Sequence, residues 1–407
     1  MSDRVRPKED GGSNAEPEAP SRAPEAASRE VSQAPSVTLA ALREQVDSID
    51  KQVVSLLNQR AALAIEIGRA KAALKKPLYA PHREQQLLER LQHQNPGPLP
   101  SQSLRSIYRE IMSASLALES PLRVAYLGPE ATFTHQAATR QFGSSALLQP
   151  ERSIAEVFEK VERGSVDYGV VPVENSTEGV VTRTLDRLMN SELVICGEVV
   201  VDVHHCLLTR SGHRGGIDKV YSHPHAFAQC RQWLATNMPD VALEDVDSTA
   251  RAAQLAANLP NAAAIASELA AQVYGLDVAA ARIEDARSNV TRFLLLGHNA
   301  PEPTGQDRTS IMFALKDAPG ILFHALEPFA KRHINLSRIE SRPSRRRSWD
   351  YLFFIDLEGH RDNQPVRAAI EALGEVCQFI KVLGSYPRQQ QSVAPLATTP
   401  PGDDAQQ

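Results

Sequence analysis

Leu39, Leu42, Val46, Ile49, Val53 and Leu56, then Leu63 and Ile67, recur at alternating steps of three and four residues. That spacing keeps apolar side chains on one face of a helix and makes a packing seam. The helix ends near Lys75-Lys76-Pro77. Pro81 suits the first turn of a second helix, which runs to about Gln94 before "NPGPLP" breaks it. A third starts after Ser101, an N-cap, and carries Leu104, Ile107, Ile111 and Leu118. Three helices, one very long, cannot bury such a seam alone. The simplest remedy is a second copy of the chain, so a homodimer or higher homo-oligomer is expected.

The seam has one fault. Its rule places position 60 between Leu56 and Leu63, and position 60 is Arg60. A cation on a packing seam is costly unless it snorkels or pairs. Lys71 follows roughly three turns later on the same face, whereas Arg43 points about a quarter-turn away and ~25 Å along the axis. One pocket could hardly use Arg43 and Arg60 of the same chain, but a partner could supply Arg43. The pattern reads either as a charged, register-setting bundle face or as a cationic pocket for a small dianion.

At 407 residues the chain holds two to four domains. Composition divides it into a disordered tail (1–36), a helical block (37–120), an α/β block (122–299), a βαββαβ block (308–387) and a second tail (388–407). The first tail lacks the apolar core of a signal peptide and is too acidic for a transit peptide. A net charge of −5 gives no global attraction to nucleic acid or to an acidic membrane. No apolar run approaches the ~18 residues of a membrane span. Cys196, Cys206, Cys230 and Cys377 form no CxxC pair and read as reduced thiols, which points to the cytoplasm.

In the helical block, "ALREQVDSIDKQVVSLLNQR", "IEIGRAK" and "HRE" resemble the chorismate mutase domain of the all-helical dimeric type. By that resemblance Arg43 of the partner, Arg60, Lys71, Arg83, Glu84, Ser115 and Glu119 bind the substrate, chorismate. The rearrangement to prephenate needs no nucleophile and no metal. It needs clamps for two carboxylates and stabilisation of charge on the breaking ether oxygen. Ala80 stands where some members have Asp, and Glu119 where some have Gln. A carboxyl there can donate to an ether oxygen only when protonated.

Four polar clusters interrupt apolar strands of the α/β block: "GPEATFTH", "VVPVENSTEG", "SHPHAFAQC" and "SNVTRFLLLG". Polar groups outside strand ends are where α/β folds bind ligands. Together these words resemble prephenate dehydratase, which implies two α/β lobes with a cleft, like a periplasmic binding protein. The reaction takes CO2 and the ring hydroxyl from prephenate. The resemblance makes Thr291, Arg292, Glu174, Asn175, Ser222 and Gln229 catalytic, with Gly128, Thr132 and Ser176 binding substrate. Thr291 touches the leaving hydroxyl, Glu174 is an acid or an orienter, and Arg292, with no acid beside it in sequence, clamps a carboxylate. Ala131 and Ala226 replace a usual Gly and Pro.

His204-His205, read as a strand pair facing core and solvent, and His223-Pro224-His225 lack a third ligand at metal spacing, so no metal is expected. The absence of GxGxxG after a strand removes an NAD-linked rival, and no cofactor is expected. The third block, "DAPGILFHALEPFAKRHINLSRIESRP", resembles an ACT domain of the dehydratase type with a ferredoxin-like α+β fold. That implies L-phenylalanine as effector, held by Gly320, Ile321, Leu322, Asn335, Leu336, Glu340 and Ser341. Ile321 replaces a usual Ala. A ligand-free dimerisation module is the alternative. Arg345-Arg346-Arg347 reads as a solvated hairpin loop. Composition and periodicity also allow a non-catalytic regulator, but two charged sites, at Arg60 and at Thr291-Arg292, favour an enzyme.

Overall fold

The computed structural model describes residues 38–74, 79–286, 288–316, 318–343 and 351–389. Both tails, apart from Arg388 and Gln389, the Lys75-Lys76-Pro77 stop and the Arg345–Arg347 loop lie outside the described residues. The chain divides into an N-terminal unit, Met1–Ser55, and a larger unit, Leu56–Gln407. Helix α1 (Leu39–Ala73) begins in the first and continues into the second. Leu39, Leu42, Val46, Ile49 and Val53 are exposed in the first unit, and Leu56, Leu63 and Ile67 in the second. Helices α2 (Pro81–Gln94) and α3 (Ser101–Glu119) complete the helical block, α2 with Pro in its first turn.

The α/β block then runs β1 (Arg123–Leu127), α4 (Phe133–Phe142), β2 (Leu147–Glu151), α5 (Ile154–Glu162), β3 (Tyr168–Asn175), β4 (Gly179–Val180), α6 (Thr182–Asn190) and β5 (Val194–Asp202). A second lobe follows: β6 (Cys206–Thr209), β7 (Lys219–Ser222), α7 (Pro224–Gln229), α8 (Arg231–Asn237), β8 (Ala242–Asp245), α9 (Thr249–Asn258), β9 (Ala262–Ala266), α10 (Glu268–Tyr274) and β10 (Asp277–Ala280). Strand β11 (Val290–Gly297) returns to the first lobe. It enters between β3 and β5, antiparallel to both, in the order β2-β1-β3-β11-β5. The second sheet is ordered β10-β6-β9-β7-β8. Phe293 to Leu296 are buried, so β11 is anchored by its C-terminal half and presents its first residues at the return point between lobes.

The third block comprises β12 (Asp307–Leu315), α11 (Ile321–Ala330), β13 (Leu336–Pro343), β14 (Tyr351–Glu358), α12 (Gln364–Val376) and β15 (Phe379–Pro387), ordered β13-β14-β12-β15. This is the expected βαββαβ order. One face packs under α11 and α12. The other shares a core with the first lobe, where Met312, Phe354, Leu383 and Tyr386 join Val171, Leu185 and Ile195. At Gly384 of β15 the backbones meet so closely that a Cβ would collide with the Ile195 carbonyl oxygen. Among the described residues no helix is long and apolar enough to cross a membrane.

Candidate active sites

In the larger unit, α1, α2 and α3 enclose a cavity of about 500 Å³ lined by Arg60, Lys71, Arg83, Glu84, Ser115 and Glu119. Arg60 Nη1 donates to Ser115 Oγ at 2.6 Å, and that hydroxyl donates to the Ile111 carbonyl at 2.7 Å. The seam arginine is therefore turned into a polar cavity and held there. Glu119 lies against Gly68 of α1, where a Cβ would stand 2.7 Å from its Oε2. That oxygen is buried and has no hydrogen-bond partner. Burial raises the Glu119 pKa, opposed by Lys71. Burial likewise raises that of Glu84, opposed first by Arg109. Ala80 lines the same wall. Arg43 belongs to the N-terminal unit and is exposed there.

Sequence reasoning missed Tyr79, Arg109 and Gln141 in this wall. Arg109 was legible, because Arg109, Met112 and Leu116 share one stripe of α3 at helical spacing. Gln141 was not. It comes from the α/β block and donates to Tyr79 Oη at 2.7 Å.

The second site lies where β11 re-enters the first lobe. Thr291 pairs in register with Asn175, and Arg292 with Glu174. Successive strand residues face opposite ways, so the sheet sorts the four residues into two pairs. On the side that meets Gln229 of the second lobe, Asn175 Nδ2 donates to Thr291 Oγ1 and to Asn289 Oδ1, both at 2.8 Å. Asn289 Nδ2 donates to Gln229 Oε1 at 2.8 Å. The same Gln229 oxygen meets His205 Nε2 at 2.8 Å, so that nitrogen is the donor. Burial lowers the His205 pKa, which favours the neutral ring. Gln229 Nε2 donates to Glu178 Oε1 at 3.3 Å, and Glu178 Oε2 stands 2.7 Å from His225 Nδ1. Asn175 Oδ1 accepts from the backbone N–H groups of Thr177 and Glu178, which fixes the amide that points at Thr291.

Arg292 and Glu174 face the other way, which corrects the expectation of an unpaired carboxylate clamp beside Thr291. Arg292 Nε donates to Glu198 at 2.7 Å, Nη1 to Asp356 at 2.6 Å and Nη2 to Tyr386 Oη at 2.9 Å. Its Nη1 is 3.8 Å from Glu174, and Arg338 Nε is 3.4 Å from the same carboxylate. Arg308 reaches Glu198 at 2.5 Å. Asp356 and Tyr386 belong to the third block. Burial acts against the Arg292 charge, but its partners win and hold its pKa well above the usual value. Asp356 is held below the usual carboxylate range: burial raises it, and Arg292 and Arg338 outweigh that.

Other expected residues make hydrogen bonds within the protein. Ser222 is fully buried and donates to the Ile265 carbonyl at 2.8 Å. Ser176 Oγ links the Ser288 carbonyl to the Val290 N–H. Thr132 Oγ1 caps α4 at His135 N, and Gly128 N donates to the Glu151 carbonyl at 2.8 Å. A Cβ at Gly128 would stand 2.8 Å from that of Pro150, so the glycine serves a close approach. Ala131, which replaces a usual glycine, has φ 66°, a strained value for a side-chain-bearing residue. His204 and His205 lie in the connection before β6 rather than on a strand. His204 Nδ1 binds Glu284 at 2.8 Å. Asn289, His205 and Glu178 went unassigned in sequence. Asn289 was legible, since it precedes Thr291 by one strand period.

In the third block Gly320 caps α11 with φ 76°, and Gly320, Leu322, Asn335 and Ser341 are exposed. Ile321 and Leu336 are half-buried against the helix-side core. Glu340 lies on edge strand β13 between Arg338 and Arg342, and Arg342 Nη1 binds Asp186 at 2.6 Å. By alternation Glu340 and Ser341 face opposite ways.

Comparison with known proteins follows this division. A family profile described as chorismate mutase type II matches residues 42–120, one described as prephenate dehydratase residues 124–301, and one described as ACT domain residues 309–375. The chain is 48% identical to the bifunctional chorismate mutase/prephenate dehydratase of Aquifex aeolicus, over 85% of this chain and 97% of that one. It is 45% identical to the protein of the same name from Stutzerimonas stutzeri, over 86% and 98%. The solved prephenate dehydratase of Arthrobacter aurescens, in complex with L-Phe, is 37% identical with a TM-score of 0.61, covering 67% of this chain and 94% of that one. With both catalytic blocks and the ACT domain matched in order, and relatives matched over nearly their whole length, the chain belongs to the bifunctional chorismate mutase/prephenate dehydratase family and is an enzyme with both activities.

Proposed function

We propose that the rearrangement takes place in the Arg60 pocket, the decarboxylation and dehydration at the Thr291 cluster, and that L-phenylalanine bound by the ACT domain slows the second step. Arg60, Lys71 and Arg83 supply the cations that two carboxylates need, and the partner's Arg43 completes the pocket in a dimer. The free Glu119 Oε2 supports a role for its protonated carboxyl at the ether oxygen.

The direction of the Asn175–Thr291 bond carries the dehydratase reading. Asn175 donates to Thr291 Oγ1 at 2.8 Å, so the threonine keeps its own proton for another acceptor. In the reaction the bond from ring carbon to carboxylate breaks, its electron pair enters the ring, and CO2 departs. The ring hydroxyl leaves with a proton as water, and aromatisation drives the step. Thr291 donates to the leaving oxygen within an oriented network. Glu178 accepts from the Gln229 side chain of that network and Glu174 faces away, which supports Glu178 rather than Glu174 as the orienting acid. The test is Thr291→Ala in the full chain. Dehydratase kcat should fall by about 10²–10⁴, with mutase kcat unchanged. Near wild-type dehydratase turnover would reject the assignment.

Regulation has its own support. The residue after Thr291 is tied to Asp356 and Tyr386 of the ACT domain. The similar prephenate dehydratase of Arthrobacter aurescens was solved in complex with L-Phe. We place the enzyme in the cytoplasm, where its free thiols stay reduced.

A further inference from the structure

Arg105 and Arg109 of α3 and Arg140 of α4 line one cavity of about 460 Å³, together with Gln136, Thr139 and Glu268. Glu268 is the sole carboxylate among the lining residues. Arg109 Nε is buried without a hydrogen-bond partner, and Gln136 Oε1 is in the same state. The carboxylate paired with Arg109, Glu84, stands 3.7 Å away. Burial lowers the pKa of Arg105, and the charges of Arg109 and Arg140 lower it further, ahead of the opposing Glu84 and Glu89. Arg140 is lowered by burial and by Arg109, with Asp202 opposing. Gathering half-buried guanidiniums is unfavourable unless an anion joins them, and their forked donors suit carboxylates.

The position of this cavity narrows the choice of anion. Helix α4 serves three places along a length of ~15 Å. Gln141 and Phe142 at its C-terminal end line the mutase pocket, and Arg140, Thr139 and Gln136 line the arginine cavity. At its N-terminal end, the Phe133 ring packs edge-on against His205 at 5.8 Å, and His205 holds Gln229 of the dehydratase cluster. Arg109 lines both the mutase pocket and the arginine cavity.

We propose that this cavity is a third binding site, for a small dicarboxylate, and that prephenate occupies it between the mutase pocket and the dehydratase cluster. The proposal rests on the two-site reading above. A free dianion from solution, such as inorganic phosphate, is the other source of the same chemistry.

The experiment uses the full-length enzyme and an Arg105→Gln/Arg140→Gln variant, neither residue having a part in either reaction. Each is given chorismate, and quenched time points are assayed for bulk prephenate and for phenylpyruvate. Mutase kcat, and dehydratase kcat at saturating added prephenate, should stay within about twofold of wild type. Peak bulk prephenate should rise severalfold, and the lag before phenylpyruvate should lengthen. Phosphate added to wild type should reproduce that rise and should do little more in the variant. An unchanged peak and lag with both single-step rates intact overturns the proposal. So does phosphate that alters single-step rates in wild type without moving the peak. If the double variant does not fold, Arg140→Gln alone gives the same readouts, with the same outcomes decisive. A wild type that makes no prephenate from chorismate overturns the functional reading as well, and shows this before any variant is made.

Discussion

Thr291 Oγ1 accepts from Asn175, and Asn175 Oδ1 accepts from two backbone N–H groups, so one hydroxyl proton is aimed by a chain of fixed donors. Glu119 makes the opposite case, a carboxyl whose useful form depends on pH. Its pKa is raised by burial, so the protonated donor persists above the usual carboxylate range and is lost as pH climbs through the raised value. Mutase kcat/KM should therefore fall as pH rises. Glu119→Gln, always a donor, should flatten the profile. A flat wild-type profile between about pH 5 and 8 would rule out this role. At Gly68 the expected effect is steric. A methyl there meets Glu119 at 2.7 Å, so Gly68→Ala should cost about 1–3 kcal/mol in thermal denaturation. It should also lower mutase kcat/KM, which separates displacement of Glu119 from simple destabilisation. Wild-type values in both would contradict the packing described.

Strand β11 shows what sequence could and could not say at the scale of an element. Its apolar half and its polar mouth follow from words at strand ends and from a period of two, whereas the partnership of Thr291 with Asn175 joins residues 116 apart. The same period says that Arg292 and Glu174 must face away from Thr291, which a reading by motif alone overlooked. The acids that hold Arg292 were beyond reach, because Glu198 and Asp356 lie 94 and 64 positions away. Likewise the α1 seam was legible with its Arg60 fault, whereas the Gln141 contact to Tyr79 joins residues 62 apart. Ferredoxin-like order was readable in the third block because its strands and helices are separated by clear turn signals. Its shared core with the first lobe was not, since Met312 and Leu383 look like ordinary strand residues until the sheets meet.

For the molecule as a whole, the α1 seam stays exposed from Leu39 to Ile67 in a single chain. A second copy is the proposed occupant, since the seam is long and apolar. Sedimentation equilibrium should give a dimer or larger. Leu56→Glu with Leu63→Glu should yield monomers with little mutase activity, and a wild-type monomer with full mutase activity would refute the arrangement. The proposed coupling of the ACT domain to the dehydratase site runs through the Arg292 cluster. Removing one member of a buried ion-pair network costs about 3–5 kcal/mol. Asp356→Asn, which keeps the shape and removes one charge, should therefore lower stability and weaken phenylalanine inhibition more than it lowers dehydratase kcat. Undiminished inhibition would break the link.

Thr291 and Arg292 are consecutive, and no loop separates the residue proposed to meet substrate from the residue that meets the ACT domain. A strain builder seeking an enzyme deaf to its end product could not safely alter β11, because any change in its path would also move the hydroxyl. Positions whose change should spare the hydroxyl lie across the junction, at the β13 edge or, with a cost in stability, at the buried Asp356 and Tyr386. Selection for overproduction should therefore collect its substitutions in the ACT domain and leave the TRF word untouched.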